Sequence, residues 1–327
     1  MSRVGFYERG VQSIECRVGR VDVSVRDERH EDGHRDLRCE ARLEADPPRR
    51  SRAAFERLAK QSDPIGRTAM SDMPESFRAF SEEVLDELRG ALDRVVGVLR
   101  WRVGGDVPVL ADLGRAPLRW SPNGEDWYGF PTTTSVQLGW WLHLDVRPNA
   151  AKEIDVLIDR GLSEPFGYEL LREATALHTR NPRSSLMIAI TALEVAVKQY
   201  VADRAPESQW LVNESPAPDV VKMLIEYLPT LEPPANSLTG AARFKSLSPE
   251  LLELLRKRRD QRNQIAHRPE AHQRRQAPIA TPERALSAIL SVRQVLLRLD
   301  VADGHLWARQ FLGEPPYEPP PFGVRTV

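Results

Sequence analysis

The stretch RRDQRNQIAHRP, residues 258–269, sets Arg258, Arg259, Arg262 and Arg268 beside Asn263 and His267 in a chain whose formal charge is only −1. An imidazole exchanges protons near neutral pH, and a guanidinium offers a planar, permanently charged fork that matches phosphate oxygens. Such a pair suits a phosphodiester that carries its own 2′-hydroxyl nucleophile. Cleavage then needs only proton movement and stabilisation of the extra negative charge on phosphorus, and no metal. A solvated helix end closed by Pro269 accounts for the same residues without any ligand. Local charge alone does not decide between the two.

These residues close a helix expected over Pro249–Arg268, which opens on a Ser248 cap and a first-turn proline. Leu251, Leu252, Leu255 and Ile265 are its buried side, and Arg256, Lys257, Arg258, Arg259 and Arg262 read as the opposite one. Pro269 disfavours helical geometry at Arg268, so His267 falls in the last turn. Arg262 and His267 then stand about 140° apart around the axis and about 7.5 Å along it, close enough to flank one cleft. Other helices are expected to surround this one. Pro165–Arg180 follows a Ser163 cap, Pro182–Val201 turns Leu186, Ile190, Leu193 and Val197 inward, and Pro282–Leu299 follows a Thr281 cap. A shorter helix covers Asp219–Tyr227, and Thr230–Ser246 is a long connection.

The order arginine, polar residue, apolar residue, histidine in RNQIAH resembles the R-x4-6-H motif of the HEPN family, the higher eukaryotes and prokaryotes nucleotide-binding domain. The preceding helix RSSLMIAITALEVAVKQYV, with its ALE element at Ala192–Glu194, is similar to that family's second helix. The likeness spans about residues 160–312. It implies an all-α helical bundle that forms a homodimer with two motifs facing across a cleft and, in many members, metal-independent endoribonuclease activity. Arg262 and His267 carry over as the catalytic pair and Asn263 as the positioning residue, with RNA, tRNA included, as substrate and 2′,3′-cyclic phosphate as product. The resemblance further implies a toxin or antiviral defence effector. Some members bind nucleotides or serve as dimerisation scaffolds without cleaving, so a non-catalytic binding module is the alternative.

Around this centre, Lys257, Arg258, Arg259, Arg268, Arg274 and Arg275 would track flanking phosphates, or stand merely solvated. Glu194 is a supporting partner for Arg262 or an exposed helix glutamate. His178 reads as structural. No cofactor or metal is expected.

Residues 1–150 read differently and resemble no family. SIECRVG, VDVSVRD and LRCEARLE alternate as antiparallel strands solvated on one face. Phe77, Phe80, Val84, Leu88, Leu92 and Val96 recur at helical spacing over Pro74–Val98, and Asn123-Gly124 marks a hairpin turn. This is an α+β domain suited to sensing or recognising a ligand or protein. Trp101, Trp120, Trp127, Trp140 and Trp141 concentrate there, as core residues or as a stacking platform. The domain boundary is placed near residue 150, followed by a helical domain over 151–315 and a proline-rich tail over 316–327.

HEDGH, residues 30–34, matches the zinc-protease pattern with His30 and His34 as ligands and Glu31 as base. Its surroundings are charged, contain Gly33 and lack an apolar stripe, so a solvated loop is expected. Cys16 and Cys39 lie in strand patterns without metal-ligand spacing and read as buried thiols. With 46 basic and 47 acidic residues the chain is not globally basic, so anion binding must be local. Apolar runs such as Leu186–Ala196 stop short of a membrane span, and Met1–Cys16 lacks a signal-peptide core, so a cytoplasmic protein is expected.

Overall fold

The computed structural model describes residues 13–29, 35–60, 70–103, 119–122, 124–125, 127–129, 148–208, 219–233, 241–267 and 280–313. They form two compact units that divide between Glu164 and Pro165.

In the first unit β1 (Ser13–Val18), β2 (Val21–Arg29) and β3 (Arg35–Leu43) make an antiparallel meander in the order β1-β2-β3. The β1–β2 turn relies on Gly19 at φ +60, a conformation that a β-carbon makes costly. Alternation sends Cys16, Val21, Val23 and Val25 to a buried face while Glu15, Arg17, Asp22 and Arg42 meet solvent. Helices α2 (Glu75–Val103) and α3 (Pro148–Asp159) pack with this sheet. Val95, Leu99 and Trp101 of α2 and Ile154, Leu157 and Ile158 of α3 are all buried. Helix α1 (Arg49–Lys60) meets α2 through Ala54, Leu58 and Phe77, with the Phe55 and Phe77 rings 4.7 Å apart. Strands β4 (Arg119–Trp120) and β5 (Tyr128–Gly129) pair antiparallel, and Gly124 in their loop has φ +79.

Helix α3 explains why the boundary falls later than residue 150. It packs with β1 and α2, and its end is a Schellman motif in which Leu162 N–H donates to Leu157 O at 3.0 Å and Gly161 N–H to Ile158 O at 2.9 Å. Arg94 of α2 adds a bond from its Nε to Leu162 O at 3.3 Å. The segment that breaks the strand pattern is thereby held to the first unit.

The second unit is helical. It comprises α4 (Phe166–Leu177), α5 (Pro182–Arg204), α6 (Val220–Lys222) continuing as a π-turn Met223–Tyr227, α7 (Pro249–His267) and α8 (Pro282–Ala302). A 3-10 turn over Leu306–Leu312 packs on α8. Helix α5 is the centre, in contact with α4, α7 and α8. Leu186, Ile190, Leu193 and Val197 are fully or nearly fully buried, each worth about 1.5–3 kcal/mol relative to exposure. Ala189, Ala192 and Ala196 are buried as well, so α5 is covered on more than one side. This corrects the expectation that no apolar stretch reaches membrane length. By length and composition α5 qualifies, and half of that apolar window is buried inside the protein.

Gly167 lets α4 approach α5 closely, since a β-carbon there would lie 3.0 Å from Ala196 Cβ and 3.2 Å from Ala192 O. Caps fix the helix starts: Asn181 accepts from Ser184 N–H at 3.1 Å, Ser248 from Leu251 N–H at 3.3 Å and Thr281 from Arg284 N–H at 3.3 Å. Ser163 does not cap α4, which starts from Pro165 without a side-chain cap.

Candidate functional site

Helix α7 carries the site, and its register is decided by an apolar stripe. Leu251, Leu255 and Ile265 are buried, and residues 258 and 262 continue the same i, i+3, i+4 series. Arg258 and Arg262 therefore occupy positions where this helix meets its neighbours, and not the opposite face that its charge suggested. That placement was open to inspection in the spacing, since an arginine on a core stripe must find partners.

Arg262 finds them on α5 and beside itself. Its Nη2 donates to Glu194 Oε2 at 3.3 Å and its Nη1 to Asn263 Oδ1 at 3.0 Å. The side chains of Arg262 and Glu194 are 23% and 15% exposed, so the pair is neither freely solvated nor sealed. The Nε of Arg262 is buried and has no hydrogen-bond partner. Two of the five N–H donors of the guanidinium are thus engaged, and the planar fork is held in one orientation. Glu194 owes its place to the central helix, whose buried flank at Leu193 and Val197 fixes the rotation of α5.

His267 is the last residue of α7 and is exposed. The final turn is held by Arg183 at the start of α5, whose Nη2 donates to Ile265 O at 3.5 Å. Asn263 is half-buried, and Lys257 is exposed.

Two expected phosphate contacts need correction. Arg258 is only 8% exposed; its Nη1 donates to Gln261 Oε1 at 2.8 Å and its Nη2 to Ser287 Oγ on α8 at 3.0 Å. Burial, with Arg284 nearby, holds its guanidinium below the ordinary arginine value. It joins two helices and is not presented to a polyanion. Arg259 is paired with Asp219, which also caps α6 by accepting from Lys222 N–H at 3.1 Å. Burial pushes the Asp219 carboxyl up, but the Lys222 amide and the Arg259 guanidinium outweigh it and leave the group below the usual carboxylate value. Arg268, Arg274 and Arg275 lie outside the described residues, as do His30, Glu31 and His34.

Comparison with models of known families, with characterised proteins and with solved structures finds no match to this chain. The site therefore stands on its own geometry.

Among the described residues no three His, Cys, Asp or Glu side chains gather to hold a metal ion. His178 serves the end of α4, its Nδ1 lying 2.6 Å from Thr175 O. Trp101 is core, Trp120 packs against Phe55 with ring centroids 4.8 Å apart, and Trp127 is 44% exposed beneath the Arg42 guanidinium. Trp140 and Trp141 lie outside the described residues. Cys16 is buried with its thiol pushed up to about 12, first by burial and then by nearby carboxylates such as Asp155; burial likewise puts Cys39 at about 11. Neither is a ready nucleophile.

Proposed function

We propose that the helical unit is a metal-independent endoribonuclease of the HEPN type, with Arg262 and His267 as its catalytic pair and Asn263 and Glu194 as positioning residues. The observation that carries this reading is the half-buried Glu194–Arg262–Asn263 arrangement, which orients a guanidinium while leaving donors unspent. Beside it stands the RNQIAH spacing. In the reaction the ribose 2′-oxygen attacks the adjacent phosphorus, the new O2′–P bond forms and the P–O5′ bond breaks. The products are a 2′,3′-cyclic phosphate and a 5′-hydroxyl. Arg262 meets the extra charge on the non-bridging oxygens. His267 takes the 2′-hydroxyl proton or delivers one to the departing oxygen, and the second motif of a homodimer supplies the other transfer. A cytoplasmic toxin or defence effector, with RNA or tRNA as target and the α+β unit as its sensor, is the corresponding role.

The test is cleavage of total RNA and tRNA by the full chain in excess EDTA. Wild type is expected to leave cyclic phosphate ends, and Arg262→Ala or His267→Ala to lose about 100-fold or more in rate. His267 is exposed, so its replacement should leave the thermal midpoint unchanged. Glu194→Gln should lower kcat about tenfold with little change in KM, as expected for a residue that orients the fork. Cleavage at the wild-type rate by Arg262→Ala sinks the assignment.

A second reading draws on Glu194 already neutralising Arg262 and Asp219 already engaging Arg259. In it the unit binds nucleotide or RNA, or dimerises, without cutting. Uncleaved labelled RNA that binds His267→Ala as well as wild type would favour it.

A further inference from the structure

Helices α5 and α8 both end beside the start of α4, and there a cleft of about 420 Å³, its mouth included, opens between the three helices. Leu296 and Leu299 give its wall an apolar part, and Asp203, Asp300 and Asp303 give it three carboxylates. The last carbonyls of two helices add partial negative charge at the same place. Arg204 offsets part of this. Its Nε and Nη2 donate to Asp303 Oδ1 at 3.3 and 2.9 Å, and further bonds reach Ala302 O at 2.6 Å and Ala242 O at 3.2 Å. Tyr168 donates to Asp300 Oδ2 at 2.5 Å. Burial raises the carboxyls of Asp203 and Asp303, in the second case against the pull of Arg204. The balance remains negative.

Tyr200 supplies an independent observation. It lines the cleft and is 3% exposed, yet its phenol oxygen is buried without a hydrogen-bond partner. A buried hydroxyl ordinarily has one. Its ring already serves as a cation platform, with the Arg204 guanidinium carbon 4.3 Å from the ring centroid. The occupant is not a bare metal, because the described carboxylates do not gather into a metal-binding group. Carboxylates spread along a wall that includes leucines suit a positive charge carried on an aliphatic chain.

We propose that this cleft binds an organic cation, a primary ammonium or guanidinium on an aliphatic chain, with Asp203 and Asp300 as its counter-ions and Tyr200 as a hydrogen-bond partner. The cleft is distinct from the Arg262 site. Asp203 follows Glu194 on α5 by about two and a half turns, roughly 13 Å along the axis and on the opposite side.

Isothermal titration of the full chain tests this, with 1,4-diaminobutane in one arm and an uncharged-ended peptide bearing a single lysine in the other. Saturable one-to-one binding is expected, weakened about tenfold in Asp203→Asn by loss of a charged partner. Asp203 is exposed and Tyr200 has no hydroxyl partner to lose, so Asp203→Asn and Tyr200→Phe should both keep the wild-type thermal midpoint. Tyr200→Phe should also bind several-fold more weakly. Binding of the diamine assigns the cleft to a free amine; binding of the peptide alone assigns it to a side chain of another protein. Saturable binding in neither arm, or binding that both variants leave unchanged, overturns the proposal.

Discussion

Asp155 on α3 should make the first unit less stable as pH rises, and Asp155→Asn should remove that dependence. The side chain is 7% exposed, and its Oδ1 is buried without a hydrogen-bond partner. Burial, reinforced by Asp159 one turn on, raises the carboxyl from 3.8 to about 6. A group with a raised folded value binds its proton more tightly in the folded state, so its penalty is absent below the unfolded value and grows as pH climbs through the folded one. The difference between 3.8 and about 6 corresponds to at most about 3 kcal/mol above pH 7, falling to about 0.5 kcal/mol at pH 4. Urea denaturation of wild type and variant, compared at each pH so that shared titrations cancel, reads this directly. The advantage of Asp155→Asn should grow by about 2 kcal/mol between pH 4 and pH 8. A difference between the two proteins that stays constant over that range would refute the reasoning, whatever its sign.

Gly167→Ala should cost about 1–3 kcal/mol in the helical unit, read as a lower urea midpoint, because the new methyl meets a backbone carbonyl that cannot turn aside. Arg258→Met should leave stability within about 1 kcal/mol of wild type and leave RNA affinity unchanged, since the arginine is buried between helices. Lys257→Ala, at an exposed position, should by contrast weaken RNA binding and flatten its salt dependence.

The helix starts were readable because each rests on local chemistry. Asn181-Pro182, Ser248-Pro249 and Thr281-Pro282 combine a side-chain acceptor with a proline that needs no donor, and all three open helices. The meander was readable from alternation for the same reason. Helix α1 was not, because RRSRAAFERLAK is mostly charged and its few apolar residues gain meaning only against Phe77. The boundary was misplaced because what binds α3 to the first unit is tertiary, the sheet on one side and Arg94 at its end. At the site, residue types named Arg262, Asn263, His267 and Glu194. They could not tell that Arg258 turns inward, since Arg258 and Arg262 share a stripe and only the packing shows which neighbour each one meets.

The central position of α5 also bears on the order in which the chain is made. Its apolar sides are covered by α4, which precedes it, and by α7 and α8, which follow it. A ribosome adding about 5–20 residues per second takes roughly 5–20 s to travel from Arg204 to Ala302. Throughout that interval the segment sits outside its finished bundle with leucines and isoleucines uncovered. It is the stretch of this protein that chaperones and neighbouring nascent chains encounter first, and a slow synthesis step between α5 and α8 would lower the yield of folded protein without altering a single native contact.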